Sequence, residues 1–314
     1  MKSPYLTLLA GITALVTVYA CNKVTNSQPP VYDTVTITKT DTLVLPPVSD
    51  TPNLTEGLVL YLPFNGSFAD SSGNNNIVTP LGGAALGYDL HGYANSAFIS
   101  SGNGARLVVG NNGSYAVDTA FSVSFDFVIR SNTYYYGGGN YTGLMCFLSI
   151  VDTTNAFGPT FDAGLTNPAS PQTFTFGVNS ATSSCDNTGT SNIQNVASTT
   201  NFAPQIGSWY NAICIFTKGA LSVYINGQLQ GTQTGLDPAV LFCPNANFVV
   251  GAWWSGGGNL SNLESINGEL DEVRFYNRTL TARQIAWLSR NFQPTSMKMN
   301  SGIKKGGAPG IGAN

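Results

Sequence analysis

Apolar and polar residues alternate along much of this chain. Phe121, Val123, Phe125, Phe127 and Ile129 are interleaved with Ser122, Ser124, Asp126, Val128 and Arg130. A period of two puts one set on each face of a strand, one apolar and one mostly polar. Trp209 to Phe216 and Leu221 to Ile225 read as two strands of a hairpin joined through Lys218-Gly219. Asn226-Gly227 is a strong turn dipeptide leading into the next short strand. Phe248 to Ala252 and Glu269 to Tyr276 read as further strands. One helical pattern stands against them, at about Ala282 to Arg290, opened by a capping box of Thr281 and Gln284. Ile285 and Leu288 share one face of that helix and Trp287 flanks it. Many strands, Gly/Asn turns and one late helix indicate a sandwich or jelly roll.

The ends of the chain follow other rules. Lys2, an apolar run from Leu6 to Val18 and the small residue Ala20 before Cys21 make a signal-peptide pattern. The run is too short for a spanning helix, which needs about 20 residues. Val18-Tyr19-Ala20-Cys21 resembles the lipobox of bacterial lipoproteins, with Tyr19 an unusual residue in it. Residues 1–20 are therefore expected to be removed and Cys21 to carry lipid, the chain's link to a membrane. Residues 21–53, with Gln28-Pro29-Pro30 and Leu45-Pro46-Pro47, read as a spacer. Residues 54–293 read as one domain, and the Gly-rich tail 294–314 as disordered. Asn22 is not the Asp that in some lipoproteins signals inner-membrane retention, so the outer membrane is expected. Which side the domain faces stays open.

Charge narrows the partners. Charged residues are 9% of the chain, against about 25% in an average soluble protein. Without the leader, Lys2 is lost and the chain is net acidic. That argues against a nucleic-acid surface, whose affinity comes from clustered Lys and Arg. Beyond Cys21 the cysteines are Cys146, Cys185, Cys214 and Cys243. An oxidising compartment permits two disulfides in three connectivities. Alternatively Cys146 and Cys214, inside apolar runs, are buried thiols.

Several segments resemble a family. Leu58-Val59-Leu60-Tyr61-Leu62-Pro63-Phe64-Asn65-Gly66, followed by Ala69-Asp70-Ser71-Ser72-Gly73-Asn74, resembles the opening of bacterial LamG-like jelly rolls. These belong with the concanavalin A-like lectins and glucanases. Gly92 to Phe98, Trp209-Tyr210, Leu221 to Gly227 and Gly268 to Arg278 are similar to its later segments, in the same order. The resemblance spans Leu54 to Leu288 and implies an all-β, two-sheet antiparallel jelly-roll sandwich closed by a short C-terminal helix. Function it leaves to sites.

Two binding sites are expected. Members of the resembled family often hold a structural Ca²⁺ with residues from the first and last of these segments. Asp70, Asn74 and Asp271 are the residues so implied. Asp271 is expected on the core face with Val273 and Phe275, where a lone carboxylate needs a partner. The alternative has Asp70 capping a turn and Asp271 paired with Arg274 or a backbone amide. The second site is a glycan surface. Tyr134 and Tyr135 lie in an aromatic, Gly-rich insertion, and Trp253 and Trp254 open another. Rigid aromatic rings stack on sugar C–H faces at small entropic cost. The alternative packs one Trp into the core and the tyrosines on the sandwich edge.

Catalysis is not expected. Glu269-Leu270-Asp271 resembles the start of the catalytic strand of jelly-roll glucanases, but Val273 and Arg274 stand where the partner Glu should be. Glu272 is expected on the opposite face. His91 is the only histidine, so Ser-His or Cys-His chemistry would have to use it. The sequence thus describes a lipid-anchored, non-catalytic module that recognises a glycan or another envelope component, or alternatively a structural or adhesive envelope protein that binds a protein partner. A hydrolase or lyase with an unrecognised site is the remaining alternative.

Overall fold

The computed structural model describes residues 51–113, 115, 117–136, 139–142, 145–152, 159–165, 173–183, 185, 193–195, 202–254 and 263–292. The leader, Cys21, almost all of the spacer and the C-terminal tail lie outside the described residues. The chain opens with β1 (Leu58–Leu62), β2 (Val78–Leu81), β3 (Ala85–Tyr88), β4 (Ala94–Ser101) and β5 (Arg106–Val109). The long β6 (Ala120–Ile129) leads into a hairpin of β7 (Thr133–Tyr136) and β8 (Gly139–Thr142). Next come β9 (Met145–Asp152), β10 (Phe161–Leu165), β11 (Phe174–Asn179) and β12 (Ile193–Asn195). A meander follows: β13 (Trp209–Thr217), β14 (Ala220–Ile225) and β15 (Gln228–Gln233). The last strands are β16 (Ala246–Val250), β17 (Ala252–Trp254), β18 (Leu263–Ser265) and β19 (Asn267–Tyr276). Helix α1 (Ala282–Leu288) closes the domain.

The meander follows its turn chemistry. Lys218 and Gly219 have φ of 46° and 78°, and Asn226 and Gly227 have φ of 52° and 75°. Two consecutive left-handed residues match the twist of the flanking strands. Gly219 is also required by space, since a Cβ there would lie 2.4 Å from the Leu236 carbonyl oxygen. The capping box of α1 forms as expected, with Thr281 Oγ1 accepting from Gln284 N–H and Gln284 Oε1 from Thr281 N–H. The α-helix ends at Leu288, short of Arg290, where a 3₁₀ turn takes over.

The strands form two sheets. The eight-stranded sheet runs β15-β14-β13-β6-β19-β4-β3, with β1 also on β19. The nine-stranded sheet runs β12-β11-β10-β9-β16-β5-β2, with β17 and β18 added beside β9. Pairing is antiparallel apart from a bridge between Ser265 and Cys146. Between the sheets lies an aromatic core in which Phe121, Phe125 and Phe127 of β6 meet Phe147, Phe161, Phe174 and Phe176. Burying one such ring stabilises by about 2–3 kcal/mol. Cys185 and Cys243 form a disulfide, while Cys146 and Cys214 remain thiols in buried strand positions.

The polar face of β6 is also buried. Ser122, Ser124 and Asp126 are at most 8% exposed. A second apolar cluster of Ile213, Ile215, Tyr276, Leu280, Ile285 and Leu288 covers part of this outer face through α1. Ser122 is satisfied there, its hydroxyl donating to the Arg278 carbonyl and accepting from Leu280 N–H.

Candidate functional site: an acidic cleft beside the closing helix

The outer face of the eight-stranded sheet is ordered in rows. Asp126 of β6 lies opposite Asn211 of β13 and Asp271 of β19; Ser124 opposite Ile213 and Arg274; Ser122 opposite Ile215 and Tyr276. Helix α1 covers the apolar end of these rows. The polar end opens into a cleft of about 320 Å³. Its floor is Asp126, Asp271, Glu272, Arg274 and Tyr61, and its walls are Asp89, Leu90 and His91 on one side and Trp287, Leu288 and Arg290 on the other.

A β-bulge builds the floor. Between Asp271 and Arg274, β19 spends three residue steps against two on β6. Glu272 takes the extra position with φ of 52°, a conformation a bulky L-residue adopts at a cost. The same bulge is where β19 exchanges partners: residues 267–270 pair with β4, and residues 273–276 pair with β1. It also changes which residues face outward. Leu270, Val273 and Phe275 point into the core, while Asp271, Glu272 and Arg274 line the cleft. Two expectations are thereby corrected. Asp271 does not share the core face of Val273 and Phe275, and Glu272 does not project away from Asp271. Strict alternation fails because the bulge inserts one residue.

The floor separates into one neutralised group and one unneutralised pair. Glu272 is held by Arg274 through an ion pair and accepts from Tyr61 Oη at 3.1 Å to each carboxylate oxygen. Arg274 lies over the Tyr61 ring, 4.0 Å from its centroid, and also donates to the Glu272 carbonyl. Asp126 and Asp271 are cross-strand partners. Asp126 accepts one bond, from Asn211 Nδ2 at 2.7 Å, and Asp271 one, from Glu272 N–H at 2.7 Å. The second oxygen of each has no donor among the described residues. Burial pushes Asp126 up to about 7, opposed by the Asn211 bond. Burial, then the Glu272 charge, pushes Asp271 up to about 8. Like charges on opposed residues favour one shared proton.

The residues expected to hold calcium separate. Asp70 sits in the turn after β1 and is no part of this cleft. Its Oδ1 accepts from Tyr61 N–H and Ser72 N–H, and its Oδ2 from Ser72 Oγ, Asn76 N–H and Asn76 Nδ2. Burial works to raise its pKa, but the backbone donors of Ser72, Tyr61 and Asn76 outweigh that and hold the carboxyl below its ordinary value. Two oxygens offer about four lone-pair sites, and five donors fill them. Asn74 belongs to the same turn, its Nδ2 donating to the Leu58 and Val59 carbonyls. As placed, this turn does not fit a cation that asks for six to eight oxygens. Among the described residues, no three His, Cys, Asp or Glu side chains are grouped to hold a metal.

The aromatic candidates are neighbours. Tyr134 and Tyr135 lie in β7, opposite Tyr141 and Asn140 of β8. Trp253 and Trp254 lie in β17, which pairs with β18, and β18 in turn lies against β7. The side chains of Tyr134, Tyr135 and Trp254 are outside the described residues. Trp253 is half-buried, and its buried Nε1 has no hydrogen-bond partner in the described structure. Glu269 is held by Arg130 at 2.6 Å. The sequence reading missed Asp126, Asn211, Tyr61 and Asp89; of its two alternative partners for Asp271, the backbone amide is the one observed, and Arg274 serves Glu272. Asp126 interrupting a row of serines on β6 was the available signal.

Two antiparallel sheets in this order, closed by a helix, make a jelly-roll sandwich. Residues 149–286 match the family model described as the concanavalin A-like lectin/glucanases superfamily. Solved structures share the fold at low identity. Domain 4 of AbnA, a GH43 extracellular arabinanase from Geobacillus stearothermophilus, in complex with arabinotriose, is 20% identical with a TM-score of 0.52, covering 74% of this chain and 98% of that one. The binding domain of botulinum neurotoxin serotype C1 is 19% identical with a TM-score of 0.52, over 77% of this chain and 54% of that one. The binding domain of botulinum neurotoxin DC, in complex with rat synaptotagmin II, is 17% identical with a TM-score of 0.51, over 77% and 53%. This chain thus spans about half the length of the toxin structures. No curated protein matches the chain in sequence.

Proposed function

We propose that this chain is a non-catalytic carbohydrate-recognition module, tethered by lipid on Cys21 to a bacterial envelope, with the outer membrane as its location. One observation carries the carbohydrate reading: a polar cleft with aromatic residues at its margins. The hairpin between β3 and β4 supplies Asp89 and His91 to the wall and holds Tyr88 and Tyr93, which are 61% and 67% exposed. Trp287 stands on the other side. Flat rings offer surfaces for sugar C–H faces, and carboxylates within the cleft accept from hydroxyls. That the arabinanase domain was solved with arabinotriose agrees with this reading. The hairpins bearing Tyr134, Tyr135, Trp253 and Trp254 form a second candidate surface. Calcium at Asp70 is no part of the proposal.

A second reading keeps the cleft and makes it a hydrolase site, on the strength of the protonatable pair Asp126 and Asp271. Pull-down on insoluble polysaccharides tests the first reading. Retention that is lost in Tyr93→Ala or Trp287→Ala supports the cleft, and loss only in Trp253→Ala moves recognition to the β17 edge. Retention on no polymer defeats it. Release of reducing ends, abolished by Asp126→Asn, would establish the second.

A further inference from the structure

We infer that the cleft selects a saccharide bearing a protonated amine, bound through its ammonium between Asp126 and Asp271. This rests on the carbohydrate reading and names the ligand class. The first observation is which charges are free. The cleft holds four carboxylates, Asp89, Asp126, Asp271 and Glu272, and two guanidinium groups, Arg274 and Arg290. Both guanidinium groups are turned to other work. Arg274 is committed to Glu272 and the Tyr61 ring. Arg290 lies over the Trp287 ring, 4.6 Å from its centroid, and donates to the Trp287 carbonyl at 2.8 Å. Carboxylates outnumber guanidinium groups four to two in the cleft, so a uronate or sialate would meet a net negative wall.

The second observation is the state of the pair. Asp126 is 8% exposed and lines the cleft, yet only one of its oxygens is satisfied among the described residues. Asp271, 7% exposed, is in the same condition. A buried carboxylate in that state is costly. Neutral hydroxyls would satisfy the lone pairs and leave the charge. An ammonium has three donors and one positive charge, so it can donate to both free oxygens and offset one of the pair's two charges, as the shared proton does.

Proton exchange follows. The groups facing the pair are Tyr61 from β1, Asp89 and His91 from the β3–β4 hairpin, Asn211 from β13, Glu272 and Arg274 from β19, and Arg290 after α1. In that setting the pair keeps a proton near neutral pH. Binding an ammonium replaces it, releasing up to one proton, and affinity weakens as pH falls through about 8 and 7.

The test titrates the full chain at pH 6.5, low enough for the sugar amines to carry protons, with a fully deacetylated glucosamine trimer and with its N-acetylated counterpart, by calorimetry in two buffers of different ionisation enthalpy. The expected result is at least tenfold tighter binding of the amine form, with proton release. The double variant Asp126→Asn, Asp271→Asn should erase that preference and the proton release, and its thermal unfolding shows whether it is folded. Asp118→Asn, exposed and outside the cleft, should keep the preference and guards against a general charge effect. Equal affinity for the two trimers, or a preference that survives in the double variant, overturns the amine inference and leaves carbohydrate recognition standing. Binding of neither trimer in the cleft, together with no retention on polysaccharides, overturns both.

Discussion

Asp70 and Asp126 are carboxylates drawn into the same sandwich, and the protein treats them in opposite ways. Asp70 sits in a turn of short polar residues and receives five hydrogen bonds, three of them from backbone N–H groups. Asp126 lies mid-strand on the floor of the cleft, receives one hydrogen bond, and stands opposite another acid. Burial acts against the charge in both places. At Asp70 the donors overcome it and the pKa falls; at Asp126 they do not, and it rises to about 7. More donors and shallower burial at Asp70 together separate a carboxylate that holds the fold together from one held ready for something outside it.

Removing each group tests that division, and the largest effect should come at Asp70. Asp70→Ala leaves the N–H groups of Tyr61, Ser72 and Asn76 without their acceptor. The expected loss is about 3 kcal/mol, since hydrogen bonds to a charged group are worth about 1.5–3 kcal/mol each and water will replace some. Thermal unfolding should show it as a fall in Tm of about 6–12 °C. A change under about 2 °C would mean that the turn does not depend on its carboxylate.

Asp126→Asn should act in the other direction. The folded pKa of Asp126 is raised, so its contribution to stability is fully present below the unfolded value near 4. It is lost as pH rises through about 7. Asp271 follows the same course through about 8. Asp70 has the opposite sign: its contribution is present above its unfolded value and lost as pH falls through its lowered folded value. Wild-type stability is therefore expected to peak near pH 5 and to decline towards pH 8. Asp126→Asn, which keeps an acceptor for Asn211, should raise stability at pH 8 by about 2 kcal/mol and change it little at pH 5. Unfolding measured at the two pH values checks this, and an equal effect at both would remove the role assigned to the charge.

The halves of the comparison were not equally legible. A Gly/Asn/Ser turn around Asp70 announces itself locally, and turn capping stood among the sequence-level readings. The strand from Phe121 to Ile129 and the capping box at Thr281 were legible for the same reason, since each depends on neighbours in sequence. Asp126 and Asp271 meet only through the register of β6 against β19. That register turns on a bulge at Glu272, whose one local sign is a pair of adjacent acids, Asp271 and Glu272, between the core residues Leu270 and Val273. One left-handed Glu reversed the predicted face of Asp271 and hid the cleft.

A smaller effect should separate the neutralised acid of the cleft from the pair. Tyr61→Phe removes the hydroxyl that donates to Glu272 and leaves the ring beneath Arg274. Because the Arg274 ion pair remains, the cost should be about 1 kcal/mol, read as a fall in Tm of about 2–4 °C. A loss as large as that of Asp70→Ala would place Glu272 with the structural carboxylates.

The smallest expected effect concerns calcium. A site that binds the folded state alone stabilises it by about 2.7 kcal/mol when the ion stands at 100 times its dissociation constant. For a domain of this size that is about 5–10 °C in Tm. If the oxygens of Asp70 are saturated by protein donors, a cation would have to displace them, exchanging bonds already made for its own. Adding millimolar calcium, or a chelator, should then move Tm by less than about 1 °C. A larger shift, abolished by Asp70→Asn and kept in Asp126→Asn, would make Asp70 a ligand and return the metal to the first turn. A shift abolished only by Asp126→Asn would instead put the cation between the two acids of the cleft, where an ammonium is expected to sit.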